Sequence, residues 1–135
     1  MHPMSIKVLH PQDEIGVLVY GSTGEMWLFE PTPAREYASL AKKINGAVIG
    51  DMPSFESTMK LGLEGLKKSD ASAKHMIIIS DGDPQPPTPK LLAEFAANKI
   101  TISTISIFPH GGREVQIMQH IASSTGGRYY FPDDP

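Results

Sequence analysis

Asp81 and Asp83 flank a glycine in Ser80-Asp81-Gly82-Asp83-Pro84, directly after the apolar run of residues 76–79. Carboxylates at the end of a buried strand suit three kinds of chemistry. They are hard oxygen ligands for Mg²⁺ or Mn²⁺ when other oxygens join them. They are the nucleophile and acid of aspartyl phosphotransfer. They are also ordinary turn residues, since Asp-Gly and Asp-Pro supply local hydrogen bonds and tight backbone geometry. The phosphotransfer pattern needs Thr or Val two residues after the second aspartate, where Gln85 stands, and its lysine and distal acidic pair have no evident candidates. The turn reading leads, and Asp81 is the first choice for any site.

Other reactive side chains are sparse. The histidines are His2, His10, His75, His110 and His120, and no two fall at metal-ligand spacing on one helix. His75 opens a strand and reads as a packed or partly exposed neighbour. His110, in Pro-His-Gly-Gly, belongs to a loop at the same sheet edge as Asp81 and lines a shared cleft if it is functional; a plain loop residue is the simpler reading. Neither Gly111-Gly112 nor Gly126-Gly127 precedes Gly-Lys-Ser/Thr, so both read as turns rather than phosphate cradles. No Gly-x-Ser-x-Gly elbow occurs, which leaves hydrolase chemistry without footing.

The elements that must position these residues come from a chain of 135 residues, enough for one domain with a real core. Hydrophobic residues are 40% and charged residues 20%, a globular balance. A net charge of −3 argues against nucleic acid, which needs a basic face. With no cysteine, disulfides and thiolate chemistry are excluded, which fits a reducing compartment without requiring one. No apolar run reaches the roughly 20 residues that span a bilayer. The start has no apolar core and holds two prolines, so it does not read as a signal peptide. The expectation is a soluble chain in an unassigned compartment, with no direct membrane insertion.

Residues 1–14 read as the end of a helix and a loop. Residues 15–20 and 25–30 are strands joined by Gly-Ser-Thr-Gly, an antiparallel hairpin. Thr32-Pro33 has the form of a helix start, with threonine at the N-cap and proline at the first helical position. Residues 47–54 are a loop, and Phe55, Met59, Leu63 and Leu66 line a helix face. Gly62 and Gly65 within that helix cost about 1 kcal/mol each against alanine, which implies close approach to the sheet. Residues 76–79, four apolar residues in a row, predict a strand buried on both faces. Thr88-Pro89 opens the next helix, residues 100–108 form the strand ITISTISIF, residues 113–124 a helix closed by Gly126-Gly127, and residues 128–131 an edge strand. Trp27, Phe29 and residues 129–131 read as core or edge packing; if exposed, they mark a partner surface.

The hydrophobic strand ending in Ser80-Asp81-Gly82, then helix, ITISTISIF, helix and STGGRYYF, resembles the second half of a von Willebrand factor type A domain. Upstream, PQDEIGVLVY resembles that family's second strand and lead-in, so the likeness covers nearly the whole chain. It implies a three-layer αβα sandwich, a mostly parallel, doubly wound, Rossmann-like sheet with one antiparallel edge hairpin. It also implies a metal-ion-dependent adhesion site, made from Asp-x-Ser-x-Ser on the first strand, a threonine of a middle loop and the aspartate of the Ser-Asp-Gly turn. Asp81 matches that aspartate. The Asp-x-Ser-x-Ser motif and its strand have no match here, and Pro53 falls where the threonine belongs. Ser54, Ser57 and Thr58 are relics of that loop or, more simply, caps of the helix, with Ser54 at its N-cap.

The expectation drawn is a single domain over residues 1–135, N-terminally incomplete relative to the family, acting as a non-catalytic protein-interaction module with a degenerate adhesion site. Asp81 is the one surviving metal ligand, for weak Mg²⁺ or Mn²⁺ binding at most, and no other cofactor is expected. Asp51, Ser54, Asp83 and His110 form the expected ligand surface, with the stiff Pro-Gln-Pro-Pro-Thr-Pro segment beside it. Two alternatives stay open: a metal-dependent adhesion domain completed by a partner chain, and a small phosphotransfer enzyme using Asp81. With the first strand missing, either residues 15–20 and 76–80 become neighbours, or residues 1–9 substitute, or another chain fills the gap. A protein partner, and a homodimer or strand-swapped assembly, follow as expectations.

Overall fold

The computed structural model describes residues 10–21, 24–47 and 50–132. Two strands, β1 (Glu14–Gly21) and β2 (Gly24–Pro33), lead through a short 3-10 turn (Ala34–Glu36) into α1 (Tyr37–Asn45). Then come α2 (Glu56–Lys68), β3 (Lys74–Ser80), α3 (Pro89–Ala97), β4 (Ile100–Ser106), α4 (Gly112–Thr125) and β5 (Tyr129–Tyr130). The chain is an α/β sandwich with parallel later strands, in the order its sequence implies. The reading of residues 1–9, as the end of a helix or as a substitute strand, falls outside the described residues.

β1 and β2 pair antiparallel, and Gly21 lies opposite Gly24. β3, β4 and β5 pair in parallel, with Met76 opposite Ile102 and Ser80 opposite Ser106. Among the described residues the two sets are separate sheets, so β1 and β3 do not become hydrogen-bonded neighbours. They nonetheless share a roof. A Cβ added at Gly62 of α2 would meet Met76 Cε from β3 and lie 3.4 Å from Leu18 Cδ1 of β1. One at Gly65 would lie 2.6 Å from the Trp27 ring. The two glycines therefore let α2 lie close across both sheets.

α1 covers the other side of β1–β2 through Phe29, Ala34 and Leu40. The larger core lies between β3–β4 and the helices α2, α3 and α4, where Phe55, Phe95, Leu91, Ile100, Ile102, Met118 and Ile121 are almost fully buried. The interleaved hydroxyls of β4 tie it to its surroundings: Thr104 Oγ1 donates to Met118 O (2.8 Å), and Ser103 Oγ accepts from Arg128 N (3.1 Å). Gly126, at φ 81°, caps α4 in the left-handed conformation that glycine tolerates.

Three expectations need correction. β3 is not buried on both faces, because Ile77 (51%) and Ile79 (41%) are exposed while Met76 and Ile78 point into the core. A run of isoleucines cannot report whether a second layer covers its outer face; here none of the described helices does. Thr32-Pro33 does not start a helix: both residues end β2, Thr32 Oγ1 donates to Glu30 O, and α1 begins at Tyr37 without a side-chain cap. Ser54 is not the N-cap of α2, a position held by Phe55, although Ser54 Oγ accepts from Glu56 N at 3.1 Å. Thr88, by contrast, caps α3 as expected, accepting from Leu91 N.

Candidate functional site

The turn after β3 is built by its own side chains. Asp81 Oδ1 accepts from Asp83 N (2.9 Å), and Ser80 Oγ accepts from Gly82 N (3.1 Å). Gly82 sits at φ 84°, and a Cβ there would lie 2.6 Å from Glu114 O. Only glycine fits, and the turn is thereby pressed against the first turn of α4. Asp81 Oδ2 lies 3.7 Å from His110 Nε2, an ion pair when the imidazole is protonated. The loop before α2 joins from the other side. Ser54 and Gln85 form a parallel bridge, Gln85 N donates to Pro53 O (2.9 Å) and Phe55 N to Gln85 O (3.0 Å).

Asp81, Asp83, His110 and Ser54 are thus gathered at the carboxyl end of the sheet. Asp51 is exposed on its loop, whose Gly50 N donates to Tyr20 O (2.6 Å), and among the described residues no hydrogen bond or ion pair ties Asp51 to Asp81. Pro84 and Pro87 are buried, leaving Gln85 and Pro86 outward. Among the described residues no three of His, Asp or Glu come close enough to hold a metal ion.

Beside this turn lies a cleft of about 640 Å³ lined by Ser106, Phe108, His110, Val115 and Phe131 among others. The sequence reading missed its two most telling members. Ser106, 1% exposed, has a buried hydroxyl with no hydrogen-bond partner among the described residues. Phe108 is 85% exposed and held at φ 45°, a conformation that costs a bulky side chain about 1–3 kcal/mol and tends to mark functional sites. Phe108 in Ile-Phe-Pro-His, just past a strand end, was the available signal; nothing in the sequence separates Ser106 from the satisfied hydroxyls of the same strand. Tyr130 (48%) and Phe131 (52%) are exposed as well, the condition under which they mark a partner surface.

With the fold and this carboxyl-end cluster in place, comparison with known proteins fixes the family. The von Willebrand factor type A domain profile matches residues 4–135, and the chain belongs to that family. Its structure is similar to that of the conserved hypothetical protein BatB from Bacteroides thetaiotaomicron, with TM-score 0.79 and 14% identity over 98% of this chain and 77% of that one. An aerotolerance-related membrane protein from Bacteroides fragilis gives TM-score 0.76 and 14% identity over the same shares, 98% and 77%. A von Willebrand factor type A protein from Catenulispora acidiphila gives TM-score 0.80 and 17% identity over 98% and 33%. At such identities the likeness speaks for the fold. Comparison with curated protein sequences finds no match. Among the described residues no helix is long and apolar enough to cross a membrane.

Proposed function

We propose that this chain is a non-catalytic protein-interaction module that binds through the carboxyl end of its sheet without a resident metal ion. The observation that carries this reading is the joining of three loops, 51–54, 81–87 and 109–112, by the Ser54–Gln85 bridge and the Asp81–His110 contact. The available ligands do not fit a family-type cation site. Asp81 spends Oδ1 on the Asp83 amide and turns Oδ2 toward a histidine, and Pro53 has no oxygen side chain to offer. A Mg²⁺ ion, which demands near-octahedral oxygen ligands, is held weakly by one such carboxylate. Among the described residues β1 pairs only with β2 and β3 only with β4, and a strand edge left open in this way supports association, as a homodimer, a strand-swapped assembly or a complex with another protein.

A photo-crosslinking residue at exposed Gln85, activated in extract of the source cells with and without EDTA, tests the reading. Protein adducts that persist in chelator are expected. In parallel, Mn²⁺ should broaden no amides selectively around Asp81 in a two-dimensional NMR spectrum. Chelator-sensitive adducts, with local broadening lost in Asp81→Ala, would turn the assignment to metal-mediated adhesion. Phosphate transfer onto Asp81 would turn it to an enzyme.

A further inference from the structure

Deepening the interaction-module reading, on which it rests, we infer that the cleft between the end of β4 and the start of α4 is a docking pocket. Its occupant is an extended peptide segment of a partner protein, with one large apolar side chain flanked by lysine or arginine. Four observations converge on this. The cleft walls are apolar, from Ile107, Phe108, Pro109, Val115 and Phe131, and its volume of about 640 Å³ lies in the range of ligand pockets. Among the cleft's lining residues Ser106 keeps a buried hydroxyl with no partner among the described residues, while Thr104 and Ser103 on the same strand are satisfied. The hydroxyl is covered in the free protein, and a peptide amide or carbonyl that displaces this cover to reach it would remove a standing cost.

Phe108, the third observation, is strained and open to solvent; closing over an anchor would bury its ring where aromatic residues dominate binding energy. The last is charge. Asp81 Oδ2 lies 3.7 Å from His110, which lines the cleft, and Glu114, one residue before the lining Val115, is packed against Gly82, so two carboxylates stand beside the pocket. An acidic rim around an apolar pocket selects basic flanks and disfavours anionic surfaces.

Both unusual residues are explained by one device: each costs the free protein stability and is used on binding. That yields a test in which structural and docking roles move in opposite directions. A displayed library of random twelve-residue peptides is selected against the 135-residue chain, and the enriched peptides are synthesised and titrated. Lysine or arginine within two positions of a large apolar residue is expected among them. Saturation should shift the amides of residues 106–115 and 131. Ser106→Ala should raise Tm by roughly 3–5 °C and Phe108→Gly should not lower it, yet each should weaken the peptide about tenfold. Asp81→Asn, at the rim, should weaken it about threefold and steepen no salt dependence.

Acidic or uncharged peptides, binding indifferent to both pocket variants, or no enrichment at all would overturn the pocket. Shifts confined to the Ile77 and Ile79 face would do so too, while leaving an interaction module that binds elsewhere. Binding to phosphatidylcholine vesicles in place of peptides would overturn it in favour of a membrane surface. Loss of chelator-resistant adducts at Gln85 would remove the broader reading, whatever the peptides show.

Discussion

The two sheets of this domain are covered in opposite ways. Among the described residues β1–β2 has helices on both faces, α1 on one and α2 on the other, yet its cluster holds three buried residues, Phe29, Ala34 and Leu40. Among the described residues β3–β5 has helices on one face, and the cluster there holds ten buried residues, from Phe55 to Ile121. Layer count and core strength are therefore separate quantities. Stability follows apolar area removed from water, which the one-sided half gathers into a continuous cluster. The bare face of that half, Ile77 and Ile79, is what remains once α2, α3 and α4 have all settled on the other side.

The sharpest way to break this contrast is to cut each cluster. Phe95→Ala, at 0% exposure in the larger one, should cost about 3–5 kcal/mol, a large part of the stability of such a domain. Phe29→Ala should fall nearer the lower figure, because a cluster of three buried residues collapses more readily around the loss. Urea unfolding of both variants decides, and equal costs would end the asymmetry. Glycine substitutions probe the same contrast at closer range. A Cβ at Gly127 would strike Ile102 O, a backbone atom of β4 that cannot yield, and Gly127→Ala should cost about 2–3 kcal/mol. A Cβ at Gly62 meets the flexible end of Met76 and makes an ordinary contact with Leu18 Cδ1, and the helix gains up to about 1 kcal/mol from alanine. Gly62→Ala should be close to neutral by the same assay.

What was legible in the sequence follows the same division. Element order, parallel pairing, the Thr88 cap and the glycine approaches of α2 were readable, because spacing, capping chemistry and close packing are local. Coverage was not. Four apolar residues at 76–79 read alike whether one face or two are packed, since burial of the outer face depends on what the rest of the chain places there. Thr32-Pro33 carried a sound capping signal that pairing with β1 overrode; Thr32 lies opposite Ile15 in the ladder. That Asp81, Asp83, Ser54 and His110 lie together at the carboxyl end of the sheet was legible from their positions after strands and in loops. Ser106 was not, because an unsatisfied hydroxyl differs from a satisfied one only in three dimensions.

If the outer face of β3 is open, polar substitution there should be tolerated. Ile77→Thr with Ile79→Thr should change stability by less than about 0.5 kcal/mol each, while lowering self-association in sedimentation velocity. A loss of several kcal/mol would show that something covers this face in solution and would erase the difference between the sheets.

The smallest effect concerns the joint between the shared helix and the larger half. Glu56, at the start of α2, accepts from Thr88 N (2.8 Å) and Thr88 Oγ1 (3.0 Å), linking α2 to the cap of α3. The Thr88 amide, foremost, holds the carboxyl below its ordinary value of 4.5; burial opposes it, and the Thr88 hydroxyl and nearby Lys60 add to the lowering. A folded-state value below the unfolded one contributes stability that is present above about pH 4.5 and lost as pH falls through the lower folded value. The carboxylate keeps part of its surface in water, and with that screening its worth is a few tenths to about 1 kcal/mol. The stability gap between wild type and Glu56→Gln, measured by urea unfolding, should therefore be constant near neutrality and close as the pH drops below 4.5. A gap independent of pH would mean the charge is idle, leaving apolar contacts alone to couple α2 to α3.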